Sequence, residues 1–453
     1  MPITLTNARL LQLDPPEVSR GAIRIVADAV EDVGPAVAPA PGDETHDCGG
    51  ALVLPGLVNG HTHLYSALAP GMPMPGRSPR SFHEILERIW WRLDRAHDAA
   101  SVEASGCIGA IDALRCGTTT LIDHHASPNA IAGSLDRLER GIAAVGLRAV
   151  LCYEVTDRNG PAGAEAGLAE NRSYLDKCGN RSDHRFAGLV GAHAAFTLSD
   201  ASLRACVDLA AERKTGVHIH VAEDPCDDAI CRERYGAPLL QRLERCGLLA
   251  DGQGTAARSI LAHGTHLSRD DAHRVSARVA AVAHNPRSNM NNGVGYAPVA
   301  HMTNALLGTD GIGGDMFTEA RCAWFKSCDA RLLEKKQPGP DTPAITPQRV
   351  VGMLSRAAQV AGDLLGCTLG KLTPGARADL VVTDYDPATP LTANNAAAHL
   401  LFALGPQHVR HVLIAGEWAL KDRRILRVDE RTVREDAARI AQSLWQRMQA
   451  IDP

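Results

Sequence analysis

Apolar runs and helical segments alternate through the middle of the chain. Between residues 55 and 360, short runs rich in β-branched residues are separated by longer Ala-, Leu- and Arg-rich segments of helical period. This alternation is typical of repeated βα units and a parallel sheet. We count eight runs, which are "GALVLPGLV", "TTTLIDHH", "LRAVLCYE", "FAGLVGAH", "TGVHIHVAE", "SILAHG", "RVAAVAHN" and "ALLGTD". The pattern predicts an α/β fold, a (β/α)₈ TIM-like barrel over residues 55–364. The span exceeds the ~250 residues of a typical barrel, which leaves room for loop insertions.

The two chain ends share a different pattern. Residues 1–54 contain "ITLTNARLLQL" and "GAIRIVADAVEDVG", and residues 365–430 contain "GARADLVVTDYD" and "VRHVLIAGEWALKDRRIL". These segments alternate with period two and are punctuated by Gly and Pro, so they predict strands of a sheet assembled from both ends. Residues 431–453 predict a packing helix, because Val433, Ile440, Leu444 and Met448 lie on one helical stripe.

Every predicted barrel strand ends in polar side chains. In a parallel barrel the carboxyl ends of all strands open on one face, where active sites lie. The strand-end residues are His61, His63, Asp123, His124, His125, Glu154, His193, His220, Glu223, His263, His284, Asn285 and Asp310. We therefore expect a ring of histidines and carboxylates at the mouth of the barrel.

Four of these residues suggest a metal site. His61 and His63 are two apart on a strand, so both imidazoles point to the same side. His220 and Asp310 complete a set of three nitrogens and one carboxylate, which suits Zn²⁺ or Fe²⁺. Glu223, three residues after His220, is placed to shuttle protons. His263 is placed to orient the nucleophile or stabilise developing charge.

Composition excludes several classes of function. The net charge is −5 with no long run of either sign, so the basic footprint of a nucleic-acid-binding protein is missing. We expect no nucleic-acid partner and no membrane partner, because no stretch reaches the ~18 apolar residues of a bilayer span. The N-terminus has no signal-peptide pattern and the twelve cysteines are scattered, so the expected location is cytoplasmic. "GTDGIGGDM" lacks a strand–turn–helix context for phosphate, so we predict no nucleotide cofactor.

Four motifs of the chain resemble those of the amidohydrolase superfamily, and they are "PGLVNGHTH", "HIHVAE", "LAHG" and "LGTDG". Within the superfamily they resemble the metal-dependent aminohydrolase branch, which contains cytosine, guanine and chlorotriazine deaminase relatives. Four further segments are similar to the SsnA-type aminohydrolases of that branch, namely "FHEILERIWWRLDRAHD", "DHHASP", "VTDRNG" and "HNPRSNMNNGVGY". The resemblance covers essentially the whole chain. It implies that the sheet of the two chain ends is a composite β-sandwich.

The resemblance also implies residue roles. His61, His63, His220 and Asp310 would hold one divalent metal ion, with Zn²⁺ favoured over Fe²⁺. Glu223 would protonate a ring nitrogen of the substrate, Asp310 would accept a proton from the attacking water, and His263 would polarise that water. The fourth run ends in His193 instead of a lysine that could bridge two metals, so the site is expected to be mononuclear.

Substrate contacts are predicted from strand-end and insertion segments. They are His193, His125, Asn289 and Trp91. A helix over residues 82–97 is expected to bury Ile85, Leu86, Ile89 and Leu93. Adjacent residues do not share a helical face, so at most one of Trp90 and Trp91 is expected to point inward.

The sequence thus predicts a mononuclear metal-dependent aminohydrolase. It would add water to an amidine-like carbon of a small heterocyclic substrate (purine, pteridine, triazine or pyrimidine-like) and release ammonia. One alternative is hydrolysis of another C–N bond at the same site, in a cyclic amide or an N-formimino group. A second alternative is a non-enzymatic scaffold, although such a protein should have lost some of the metal-ligating residues. A homo-oligomer is compatible with the sequence, which does not determine the oligomeric state.

Overall fold

A computed structural model describes residues 1–74, 76–249, 254–333 and 345–452. The N-terminal part of the chain consists of strands, as its alternating pattern predicts. These are β1 (Ile3–Leu13), β2 (Pro16–Val26), β3 (Ala29–Gly34), β4 (Glu44–Asp47) and β5 (Leu52–Pro55). The chain then turns at Gly56, where a Cβ atom would lie 2.3 Å from the Thr119 hydroxyl oxygen. The first predicted run therefore divides between the N-terminal strands and the barrel.

The middle of the chain contributes parallel strands. They are β6 (Leu57–Thr62), β7 (Thr118–His125), β8 (Arg148–Tyr153), β9 (Phe186–Gly188), β10 (Val190–Ala194), β11 (Val217–Val221), β12 (Ile260–His263), β13 (Ala281–His284) and β14 (Ala305–Leu307). All nine are almost wholly buried, as expected for strands covered by helices. Strands β6 to β9 form one parallel sheet and β10 to β14 another. The predicted parallel βα architecture is thereby confirmed.

The hydrogen-bonded ladder is not continuous around the barrel. The fourth predicted run breaks after Leu189, because the Leu189 N–H donates to β8 while the Val190 N–H donates towards β11. Two isolated parallel bridges join the sheets at their edges, Val155 with Ala192 and Thr62 with Asp310. The second bridge brings the last strand beside β6, so the strand ends face a common centre.

The C-terminal strands join the N-terminal ones. They are β15 (Leu380–Thr383), β16 (Val409–Ile414), β17 (Glu417–Lys421) and β18 (Arg424–Ile425). The order is β18-β17-β16-β15-β5-β1-β2-β3, with β4 paired to β1. Both chain ends thus build one nine-stranded sheet. A two-sheet sandwich is not observed among the described strands, and the sandwich and the domain boundaries stay predictions.

Helices cover the parallel strands and the end of the chain. They are α1 (Phe82–Ile85), α2 (Trp91–Ala96), α3 (Ala99–Arg115), α4 (Ser134–Val145), α5 (Gly160–Gly179), α6 (Asp200–Glu212), α7 (Pro225–Tyr235), α8 (Leu239–Arg245), α9 (Arg269–Ser276), α10 (Pro286–Asn291), α11 (Met316–Leu333), α12 (Pro347–Leu365), α13 (Ala396–Phe402) and α14 (Glu430–Gln449). Helix α14 buries Leu444 and Met448 of its apolar stripe and packs on α2 and α3. None of the described helices combines the length and apolar composition that a bilayer crossing requires.

One buried ion pair links the barrel to the terminal sheet. The Arg148 guanidinium donates two hydrogen bonds to the Asp379 carboxylate, at 2.8 and 3.1 Å, and both side chains are buried. We expect Asp379→Ala to lower the free energy of unfolding by about 3–5 kcal/mol, because it leaves the Arg148 charge buried without its partner. Urea unfolding measures this. Asp28→Ala is the control, since the half-exposed Asp28–Arg377 pair should contribute only about 0–1 kcal/mol. An equal loss of stability in both variants would contradict a special contribution of the buried Arg148–Asp379 pair.

Candidate active site

Four side chains converge at the carboxyl ends of the parallel strands. His61 and His63 come from β6, His220 from β11, and Asp310 follows β14. One ligand atom from each lies within 4.8 Å of all the others. The His63 Nε2 atom is 3.0 Å from the Asp310 carboxylate and 3.1 Å from the His220 Nε2 atom. The set that the strand-end pattern predicted is therefore assembled in space.

The protonation pattern of these imidazoles fits a bound cation. The Nδ1 atom of His63 lies 2.6 Å from the His124 carbonyl oxygen, and that of His220 lies 2.6 Å from the His193 carbonyl oxygen. Each Nδ1 must therefore carry the proton, which leaves both Nε2 lone pairs facing each other. The His61 Nε2 atom is buried with no hydrogen-bond partner. Burial lowers the pKa of His61 to about 4, so its neutral form is favoured. At His63 the Asp310 and Glu154 carboxylates outweigh burial and raise the pKa well above its usual range, so a metal ion would have to replace the proton on that ring. This donor set fits a divalent metal ion.

Asp310 and His263 are held in unusual backbone conformations. Asp310 has a φ of 53° and His263 a φ of 75°, in the left-handed region that non-glycine residues rarely adopt. Such strain persists only where surrounding structure fixes it, and it concentrates at functional sites. The second carboxylate oxygen of Asp310 accepts a 2.5 Å hydrogen bond from the Ser288 hydroxyl. Although burial opposes ionisation, the His61 and His63 imidazoles beside its carboxylate hold the pKa of Asp310 well below its usual range.

Glu223 and His263 lie beside these four side chains. Glu223 follows β11, and its carboxylate is 3.4 Å from the His263 Nε2 atom. Asn292 donates a hydrogen bond of 3.3 Å to the other Glu223 oxygen. Burial, reinforced by the nearby Asp310 carboxylate, raises the pKa of Glu223 well above its usual range. A carboxyl group in this setting is able to carry a proton at neutral pH.

A cavity of about 730 Å³, open solvent at its mouth included, leads to these residues. One wall is apolar and largely aromatic, and consists of Phe82, Leu86, Trp90, Trp91 and Phe196. Polar side chains line the rest, among them His193, Asp94, Glu154, Glu223 and Asn292. A mostly apolar wall with a few convergent polar groups is typical of a small-molecule site.

Both tryptophans line this cavity, so the prediction that at most one points inward is wrong. The helix predicted over residues 82–97 is interrupted by a π turn at Leu86–Trp90, between α1 and α2. A π turn is wider than an α turn and changes the angle between neighbouring side chains. The Trp91 ring is fixed from behind by the Arg158 guanidinium, 4.5 Å from the ring centre. Of the four residues predicted to be buried in this helix, Ile85 is the one that stays partly exposed.

Two predicted substrate contacts lie outside the cavity lining. The His125 Nε2 atom pairs with the Ser127 hydroxyl at 3.0 Å, and the imidazole is fully buried. Asn289 points its side-chain oxygen at the His263 Nδ1 atom, 2.9 Å away. Neither side chain therefore reaches the cavity, and each pairs with a neighbouring side chain instead. His193 and Trp91, the other two predicted contacts, do line the cavity.

Glu154 and His218 were not given roles from the sequence. The Glu154 carboxylate is 3.2 Å from the His63 Nδ1 atom and 3.3 Å from the His124 Nδ1 atom. It thus approaches the Nδ1 side of His63, where it is placed to orient the ring. The position of Glu154 at a strand end is the sequence feature from which a role could have been predicted. His218 precedes His220 by two residues and therefore points to the same side of β11.

Comparison with known proteins agrees with this geometry. A deaminase of 5-methylthioadenosine and S-adenosylhomocysteine from Halobacterium salinarum is 30% identical over 435 residues, 94% of each chain. A 5'-deoxyadenosine deaminase from Methanosarcina mazei is 27% identical and covers 98% of this chain and 99% of its own. The crystal structure of an adenosine deaminase from Xanthomonas campestris with bound zinc superposes with a TM-score of 0.82, at 23% identity over 99% of both chains. Residues 52–419 match the amidohydrolase family, and the chain belongs to that family.

Proposed function

We propose that this protein is a mononuclear zinc-dependent deaminase of an adenine nucleoside modified at its 5' position. The reaction would replace the exocyclic amino group by oxygen and release ammonia. The observation that carries the proposal is the convergence of three imidazole Nε2 atoms and the Asp310 carboxylate beside Glu223 and His263. The substrate class rests on the named activities of the relatives, which are deaminases of 5-methylthioadenosine, S-adenosylhomocysteine and 5'-deoxyadenosine.

His61, His63, His220 and Asp310 would hold the ion. A divalent ion bound there supplies Lewis acidity, which makes water a nucleophile near neutral pH. One observation supports a single ion: His193 occupies the strand end where a bridging lysine would be required.

The protein's own groups account for the proton transfers. The His61 and His63 imidazoles beside its carboxylate hold the pKa of Asp310 well below its usual range, so Asp310 would be ionised and able to accept a proton from the attacking water. Glu223, with its raised pKa, would donate a proton to the ring nitrogen beside the reacting carbon. That protonation makes the carbon more electrophilic. Asp310 would then return its proton to the leaving amine, and the hydroxyl proton left on the new oxygen would go back to Glu223 as the C=O bond forms. One water is thereby consumed, one ammonia is formed, and both carboxyl groups regain their starting protonation.

The cavity wall supports binding of a flat heterocycle. Aromatic rings prefer offset-stacked or edge-to-face arrangements, and the wall formed by Trp90, Trp91 and Phe196 offers such surfaces. His193 lines the cavity beside this wall, with ring centroids 6.1 Å from Trp91 and 6.3 Å from Phe196, and its Nδ1 atom is paired to the Thr197 hydroxyl at 2.8 Å. This pair leaves the His193 Nε2 atom available to a substrate.

Ammonia release tests the proposed reaction. The zinc-loaded protein should release ammonia from 5-methylthioadenosine, S-adenosylhomocysteine or 5'-deoxyadenosine faster than from guanine or an aminotriazine. Chromatography should show the matching 6-oxo product. Ring opening without ammonia, seen on cyclic amides in the same panel, would contradict deamination and favour hydrolysis of another C–N bond.

Trp91→Phe should weaken substrate binding selectively. The Trp91 side chain lines the cavity, and its indole N–H is buried without a hydrogen-bond partner. One hydrogen bond contributes about 0.5–1.5 kcal/mol, so we expect KM to rise about 3–10-fold with little change in kcat. Phenylalanine keeps the aromatic face under Arg158. Trp90→Phe is the matched control, because the Trp90 nitrogen is not among the buried unpartnered atoms. An equal KM rise in both variants would contradict a specific contact from Trp91.

A further inference from the structure

We propose that His218 is a positioning residue that fixes the tautomer and orientation of the metal ligand His61. This inference rests on the metal centre of the proposed function. His218 and His220 on β11 face His61 and His63 on β6 across the barrel. The nitrogen–nitrogen distances are 2.9 Å for His61 with His218 and 3.1 Å for His63 with His220. The four rings therefore form two pairs. His63 and His220, both proposed ligands, form one pair, and the ligand His61 forms the other with His218.

The three histidine ligands differ in what holds their Nδ1 atoms. His63 and His220 each donate from Nδ1 to a backbone carbonyl. His61 has no such carbonyl, and the partner of its Nδ1 atom is the His218 Nε2 atom. A histidine that binds metal through Nε2 carries its proton on Nδ1 and needs an acceptor there. In the fully buried surroundings of His61, an unmet N–H would be costly.

This requirement defines which nitrogen of His218 carries the proton. Its Nε2 atom must be the acceptor, so its own proton lies on Nδ1, which faces the Cys152 sulfur at 3.9 Å. The ring is fully buried and stacks on His124, with centroids 4.6 Å apart and an angle of 23° between the planes. The stack and the sulfur contact hold the imidazole at the angle that His61 needs. Among the three histidine ligands, His61 is thus the one whose Nδ1 atom is supported by a side chain and by no backbone carbonyl.

Removal of His218 should weaken metal binding. His218→Phe keeps an aromatic ring against His124 but removes the acceptor. We expect the Kd of the metal-free protein for Zn²⁺ to rise about 10–100-fold, the usual effect of losing such an outer partner. His218→Gln, which offers an amide oxygen as acceptor, should recover part of the affinity. His284→Phe is the matched control, because His284 is equally buried at the end of β13 and its ring nitrogens have no hydrogen-bond partner.

The experiment is competition titration of Zn²⁺ into metal-free wild-type protein and the three variants, with thermal unfolding of each metal-free protein alongside. The expected result is a raised Kd for His218→Phe, a smaller rise for His218→Gln, and an unchanged Kd for His284→Phe. If His218→Phe does not fold, a Kd for His218→Gln above that of His284→Phe still supports the inference, and equal values refute it. Wild-type affinity in His218→Phe refutes it directly. If the wild-type protein binds no divalent ion, the proposed metal centre itself fails.

Discussion

Glu223→Gln should reduce kcat for deamination about 10²–10⁴-fold, the usual contribution of a positioned general acid. Glutamine has nearly the same shape and keeps the contact with Asn292, but it has no carboxyl proton to give to the substrate. Glu223 lies beside the ligand set without belonging to it, so zinc content should be unchanged. Ammonia release and elemental analysis of the same preparation measure both quantities.

Asp224→Asn is the matched control for this variant. Asp224 is the next residue along the chain, and its carboxylate accepts a hydrogen bond from the Cys226 N–H at the start of α7. Asparagine preserves this cap, and Asp224 does not line the cavity. We expect its kcat to equal that of the wild type. Undiminished turnover in Glu223→Gln with full zinc content would refute the role of Glu223 as the proton donor.

Asp310→Asn should cause an equally large or larger loss, because the proposal gives Asp310 two roles. Asparagine is a weaker ligand without negative charge, so the Kd for zinc should rise. It is also unable to accept a proton from water, so kcat should stay about 10²–10⁴-fold low even when excess zinc has refilled the site. Steady-state kinetics over a series of zinc concentrations separates the two effects.

The control for Asp310→Asn is Asp315→Asn. Asp315 accepts hydrogen bonds from the backbone and hydroxyl of Thr318 at the start of α11, away from the cavity. Asparagine is able to replace it as a cap, so zinc affinity and kcat should stay at wild-type values. If Asp310→Asn recovers the wild-type kcat at saturating zinc, Asp310 acts only as a metal ligand, and its role as the proton acceptor is refuted.

The convergence of the four proposed metal ligands was predictable because two local rules are sufficient for it. Residues two apart on a strand point to the same side, which pairs His61 with His63. Parallel strands open on one face, which brings His220 and Asp310 to the same place. Both rules depend on the chain's local pattern, and the described strands follow that pattern.

Other features depend on distant partners and could not be predicted in the same way. The break after Leu189 arises because neighbouring N–H groups pair with strands on opposite sides. The position of Trp90 beside Trp91 depends on a π turn, which helical periodicity does not reveal. Asn289 lies beside a strand end but turns to His263 instead of the cavity. In each case, tertiary contacts override what sequence spacing alone suggests.

The most direct test of the central claim is a titration of the metal-free protein with zinc, followed by the rate of ammonia release from 5-methylthioadenosine or 5'-deoxyadenosine. The account predicts no ammonia without metal, a rate that rises linearly with added zinc, and a plateau at one ion per chain. A plateau at two ions per chain would contradict the single-ion site. Ammonia release that is independent of zinc, or none from either nucleoside at any loading, would contradict the proposed deaminase itself.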